Sequence, residues 1–222
     1  PVLLSVHSRW QRETGDRESG SCTIKLLKME EPMISPMFNW ARFPVAYFVL
    51  RMNEVWEVEN EDEGVVAATF LKLWPNLKKH LLSLPKGTIQ DVTVESPSGE
   101  EDLDIDFCNQ MWSMDMYLAN AKHYQEAMDF CQDMLDLFIW DNEDTSHWTG
   151  CYGGYLWRID PARAEAYFKE HLKERNDAIM GYYSYELLSE ERWDDAAAAL
   201  SGYEDSTDET IIERLKWLKN RG

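Results

Sequence analysis

Apolar positions along this chain recur at spacings of three and four rather than alternating, which predicts helices over most of its length. Within residues 38–57, Trp40, Phe43, Ala46, Tyr47, Leu50, Val55 and Trp56 make one broad apolar face, and Pro44 either kinks that helix or begins it. After an acidic loop over 57–63, Gly64 opens a second apolar stretch, 65–74. Pro75 fits the first turn of a third helix ending near Leu84, with Leu77, Leu81, Leu82 and Leu84 as its buried stripe. Residues 1–36 carry the weakest periodicity, and the polar run 12–21 reads as loop. Residues 88–95, with Ile89, Val92 and Val94 between two Pro-Gly punctuated turns, read as a short strand or an extended linker.

Start signals are sharper in the second half. Ser98 followed by Glu101 makes a capping box before a helix carrying Phe107, Met111, Met114 and Leu118. Asp160-Pro161 pairs a side chain that accepts free amides with a ring that needs no amide hydrogen. Ser206 with Glu209 introduces Ile211, Ile212, Leu215 and Leu218, the stripe of a terminal helix. A longer period lies over these signals. Met111, Ala127 and Cys131 form one copy, Trp148, Ala164 and Phe168 a second, and Met180, Ala196 and Leu200 a third. The three alanines stand 37 and 32 residues apart, within the range of helix-pair repeats. Each copy reads as helix A, a short turn and helix B, with the alanine on helix B letting the rods approach to about 8–10 Å.

The run Trp148, Cys151, Tyr152, Tyr155, Ala164 and Phe168, with an aromatic three residues before the alanine at Tyr124 and Trp193, resembles the tetratricopeptide-repeat family over residues 107–203. The resemblance implies an all-α fold of degenerate tetratricopeptide-like helix-pair repeats in a right-handed α-α superhelix. Irregular helices over 1–97 would precede a repeat region over 98–222 that ends in a C-terminal capping helix, as two domains or one continuous one. It also implies a concave groove faced by Trp112, Met116 and Asn120 from the first copy, Trp157 from the second, and Tyr185 and Leu188 from the third. Such side chains offer large desolvation area to a peptide or protein partner, unless the amino-terminal helices cover that face and turn it into core.

Charge narrows the partner. The formal charge is −19, and 28 acidic against 11 basic side chains follow residue 99, where 13 and 11 precede it. An acidic surface of this kind disfavours nucleic acid and anionic membrane, which need concentrated Lys and Arg, and favours a basic protein or peptide. Hydrophobic content of 44% with ten Trp, ten Tyr and eight Phe argues for a packed core rather than disorder. No apolar run reaches the roughly 18 residues of a bilayer span. No secretory leader is visible, although the chain begins at Pro1 and a removed leader stays open. Cys22, Cys108, Cys131 and Cys151 include no CxxC pair, which points to a reducing cytoplasm.

Catalytic motifs are sparse. Asp102, Asp104 and Asp106 begin like a calcium loop, but Phe107 stands where a Gly is needed and Ser113 where a bidentate Glu is needed. His147 and Cys151, four apart, share a helical face, with His123 and Cys131 nearby. They lack the second ligand pair of a zinc site and the orienting third group of a Cys-His nucleophile. Gly150, Gly153 and Gly154 lack the Lys and Ser/Thr of a phosphate loop and suit close helix packing or a groove position. Acidic pairs such as Glu190-Glu191 and Asp194-Asp195 are too abundant to mark a glycosidase. The sequence thus predicts a non-catalytic, cofactor-free protein-binding module or adaptor. An acidic inhibitor resembling bacterial immunity proteins ranks second, and an α-helical hydrolase third.

Overall fold

Pro44, whose fixed φ suits a first turn and whose missing N–H is no loss there, begins α1 (Pro44–Val58). The computed structural model describes residues 42–58, 62–94 and 107–221, and among these the regular secondary structure is all helical, with no strand. The expectations placed on 1–41, 59–61 and 95–106, including Trp40, the Ser98 capping box and the Asp102–Asp106 run, lie outside the described residues. Asp62 caps α2 (Glu63–Leu81) by accepting from the Val65 amide at 3.1 Å. The expected break at Pro75 does not occur, and one helix runs through it. Phe70, Leu73, Trp74, Leu77 and Leu81 form a continuous buried face across the proline, while Pro75 points to solvent. Tertiary packing on that face outweighs the roughly 3 kcal/mol that an interior proline costs. Residues 88–94 form neither strand nor plain linker. A 3-10 turn, Ile89–Asp91, buries Ile89, and Asp91 accepts from the Thr88 amide and hydroxyl, both at 2.8 Å.

The helix expected through Phe107 and Leu118 is two, α3 (Phe107–Met111) and α4 (Met114–Asn120). They part at Trp112, whose indole turns back to donate to Cys108 Sγ at 3.2 Å. Then come α5 (Tyr124–Leu137), α6 (Asn142–Ile159), α7 (Pro161–His171), α8 (Asp177–Ser189), α9 (Trp193–Leu200) and α10 (Glu209–Arg221). Asp160 accepts from the Arg163 amide at 3.1 Å and Pro161 opens α7, as the sequence predicts. At α10 the cap moves by two residues. Asp208, not Ser206, accepts from the Thr210 and Ile211 amides at 2.8 and 3.2 Å, and the Ser206 hydroxyl is turned to Asp177.

Two apolar clusters hold these helices. In the first, Phe70, Trp74, Phe130 and Trp148 meet mostly edge to face, with centroids 5.1–5.9 Å apart. It draws on residues from both sides of position 97, α1 and α2 included. The second gathers Trp157, Phe168, Tyr183, Leu187, Leu200 and Ile211. Helix α6 packs on α5, α7 and α8 and contributes to both clusters.

All nine positions of the sequence period are buried, none more than 4% exposed. A second regularity is independent of them. The turns after α4 and α8 share one hydrogen-bond pattern, with Lys122 N–H to Ala119 O and His123 N–H to Leu118 O in the first, and Glu191 N–H to Leu188 O and Arg192 N–H to Leu187 O in the second. Both are Schellman closures whose left-handed residue is not glycine, Lys122 at φ 69° and Glu191 at φ 59°, each five residues before a repeat alanine. Asp160-Pro161 replaces that turn in the middle copy.

Two outcomes follow. Exposed Glu191 bears a left-handed strain of about 1 kcal/mol, so Glu191→Gly raises the urea midpoint by about that free energy. Ala164→Leu or Ala196→Leu overpacks a fully buried site and lowers stability by about 1–3 kcal/mol in the same assay.

Candidate functional site

Helix α6 starts on Asp141, which accepts from the Asp144 amide at 2.9 Å, and two of its hydroxyls are satisfied by its own backbone. The Ser146 and Thr149 hydroxyls donate to the carbonyls four residues back, at 2.6 and 2.7 Å, so both can be buried. Asn176 fixes α8 against this stretch. Its Oδ1 caps α8 at the Ile179 amide, at 2.9 Å, and its Nδ2 donates to Ser146 Oγ at 2.7 Å.

Beyond that tie, rings from α8 and α7 seat directly on glycines of α6. A Cβ on Gly150 would lie 2.1 Å from the Tyr182 ring, and one on Gly153 would lie 2.4 Å from Phe168. The glycines therefore serve close packing, the first of the two roles their sequence suggests. With its ring seated on Gly150, Tyr182 places its hydroxyl 2.9 Å from His147 Nδ1 and 3.5 Å from Cys151 Sγ. His147 Nε2 lies 3.7 Å from the same sulfur. One turn farther along this face, the Tyr155 hydroxyl donates to Asp115 Oδ2 at 2.8 Å, and Asp115 is only 4% exposed.

The charges in this cluster set one another. The neighbouring Cys131 thiol pulls the Cys151 pKa well below the ordinary cysteine range. Burial opposes that ionisation, and the adjacent imidazole and Tyr182 assist it. Burial also disfavours charge on His147, but the Cys151 sulfur and the Asp115 and Asp144 carboxylates prevail and raise it to about 9. Asp115 moves to about 7, chiefly through burial and then through the Cys151 charge, with His147 and the Tyr155 hydrogen bond pulling the other way. Burial pushes the Cys131 thiol and the Tyr182 and Tyr155 hydroxyls up. These shifts favour the charged forms of Cys151 and His147 and the protonated forms of Cys131 and Tyr182. A thiolate in this state is a nucleophile. Among the described residues no group of three or more His, Cys, Asp or Glu can hold a metal ion. Two cavities, of about 210 and 330 Å³, lie elsewhere, one beside Phe43 and Phe138 and one between Glu165 and Ala198.

The six residues expected on a groove divide. Trp112 is half-buried, stacked on Trp148 with centroids 4.9 Å apart and against the His147 ring, also at 4.9 Å. Met116, on α4, is 38% exposed. Exposed Asn120 donates to Glu63 at 2.6 Å and so ties α4 to α2. Tyr185 and Leu188 are half-buried, the first beneath the Arg214 guanidinium and the second on the second cluster. Trp157 is not a surface residue. At 2% exposure its ring lies against Phe168 and Tyr183, and its Nε1 donates to Glu190 at 2.7 Å. It occupies the inner side of α6, between α7 and α8, and belongs to the core.

Sequence reasoning paired His147 with Cys151 but missed Asp115, Tyr155 and Tyr182. The available signal was Asp115 standing between Met114 and Met116, an acid on an otherwise apolar stripe. No protein-family model, curated protein or solved structure matches this chain.

Because Asp115 keeps its proton more readily folded than unfolded, its contribution to stability is present below about pH 4 and is lost as pH rises through about 7. The loss amounts to at most about 4 kcal/mol. Asp115→Asn keeps an acceptor for Tyr155 and cannot titrate. Its urea stability relative to the unsubstituted protein therefore improves between pH 4.5 and pH 8, and parallel pH curves would show that Asp115 does not carry the effect.

Proposed function

We propose that this chain is a non-catalytic, protein-binding module built of degenerate tetratricopeptide-like helix pairs that stack as a right-handed superhelix, ending in α10 as a cap. The observation that carries the reading is the agreement of two independent regularities. All nine period positions are buried, and two turns of identical Schellman geometry stand in the same register to their alanines. The helix pairings fit it too, since α6 packs on α8 as well as on its sequence neighbours.

The partner surface in this reading is Trp112, Met116 and Asn120 with Tyr185 and Leu188, and it omits Trp157. Met116 supplies exposed apolar area, and half-buried Trp112 is stiffened by its stack on Trp148, which lowers the entropy lost on docking. The acidic second half favours a basic protein or peptide segment and a salt-sensitive encounter.

Binding of a captured partner distinguishes groove recognition from charge-led inhibition. Met116→Asp weakens the complex by a factor of about 10 or more, as loss of a central contact does, while the Glu191→Gln/Asp194→Asn double variant changes mainly its salt dependence. The reverse ranking would favour the acidic-inhibitor reading.

A further inference from the structure

The buried cluster on α6 is not used by the docking reading, and it contains a feature that packing alone does not require. Two cysteines from contacting helices, Cys131 on α5 and Cys151 on α6, are buried in the same cluster, and each shifts the other's ionisation. Only the second is flanked by an imidazole and a phenol, at 3.7 and 3.5 Å. Cys151 keeps 9% exposure and is bordered by half-buried His147 and Tyr182, whereas Cys131 is fully enclosed. A small oxidant therefore meets Cys151 first.

We propose that Cys151 and Cys131 form a reversible, hydroperoxide-oxidised thiol pair in which Cys151 is attacked first and Cys131 resolves it to a disulfide joining α5 to α6. In the first step the Cys151 sulfur bonds to one peroxide oxygen as the O–O bond breaks. The departing oxygen takes a proton from the His147 imidazolium and leaves as water, or as an alcohol from an organic hydroperoxide, and Cys151 becomes a sulfenic acid. In the second step the Cys131 sulfur displaces that hydroxyl. The S–O bond breaks, the hydroxide takes the Cys131 proton and leaves as water, and an S–S bond of about 2.05 Å forms. Together the two sulfurs lose two electrons and the peroxide gains two. A dithiol reductant reverses the reaction.

Placement supports this division of labour. Tyr182 and His147 both approach Cys151, and Cys131 comes from the helix packed against it. Cys108 is the internal comparison. It is half-buried, so it is more open than Cys151, and it accepts from the Trp112 indole rather than from an imidazole.

The folded, reduced protein treated with hydrogen peroxide and digested without reductant tests the pair. The expected result is a Cys131–Cys151 linked peptide that forms faster than Cys108 is oxidised and disappears with dithiothreitol. Its rate rises less steeply between pH 6 and pH 8.5 than the about 100-fold expected of an ordinary thiol. In Cys131→Ser, dimedone is expected to label Cys151. His147→Asn is expected to slow oxidation of Cys151 by about 10-fold or more with an unchanged circular dichroism spectrum. Absence of the linked peptide, or oxidation of Cys108 ahead of it, in the unsubstituted protein overturns the proposal whether or not either variant folds.

Discussion

At Gly150 the Tyr182 ring of α8 fills the place that a Cβ on α6 would take. That one contact decides two things. It sets the spacing of the two helices that join the first apolar cluster to the second, and it carries the Tyr182 hydroxyl to His147 and Cys151. Asn176, bonded to Ser146 and to its own helix start, prevents α8 from sliding away from this seat.

A polar cluster this deep is costly unless its members satisfy one another. Here the demand is met by sharing. His147 and Tyr182 both serve the Cys151 sulfur, Tyr155 serves Asp115, and the carboxylate and sulfur charges hold the imidazole protonated. Farther along α6 a second arrangement has the same character. Arg158 meets the buried Glu186 carboxylate at 2.9 Å, and burial raises that carboxylate to about 7. Helix α6 is thus apolar toward α5 and α7 and polar where it meets α4 and α8, which explains why its composition shows no clean amphipathic pattern.

What the sequence revealed follows from how local each signal is. Asp160-Pro161 and the spacing of Trp148, Ala164 and Phe168 act within one helix pair and were legible. Pro75 was misleading because a buried stripe reaching from Phe70 to Leu81 overrules a local preference only when partner helices are in place. The Trp112 interruption and the left-handed Lys122 and Glu191 carry no glycine or proline to announce them. Trp157 was assigned by family register to a groove, but its indole finds Glu190 just past the end of α8, a contact across 33 residues that no spacing encodes. Asp115 and Tyr182 were invisible for the same reason, since each matters only through a residue on another helix.

The most direct test of this account compares two glycines that the sequence does not distinguish. In α8, a Cβ on Gly181 would meet nothing within 4 Å, whereas on Gly150 it would collide with Tyr182. Urea unfolding of Gly150→Ala and Gly181→Ala is therefore expected to move in opposite directions, the first losing about 1–3 kcal/mol and the second gaining about 0.5–1 kcal/mol from helix propensity. Equal gains in both variants would mean that α6 and α8 do not meet at Gly150, and the arrangement of His147, Cys151 and Tyr182 would fall with that contact.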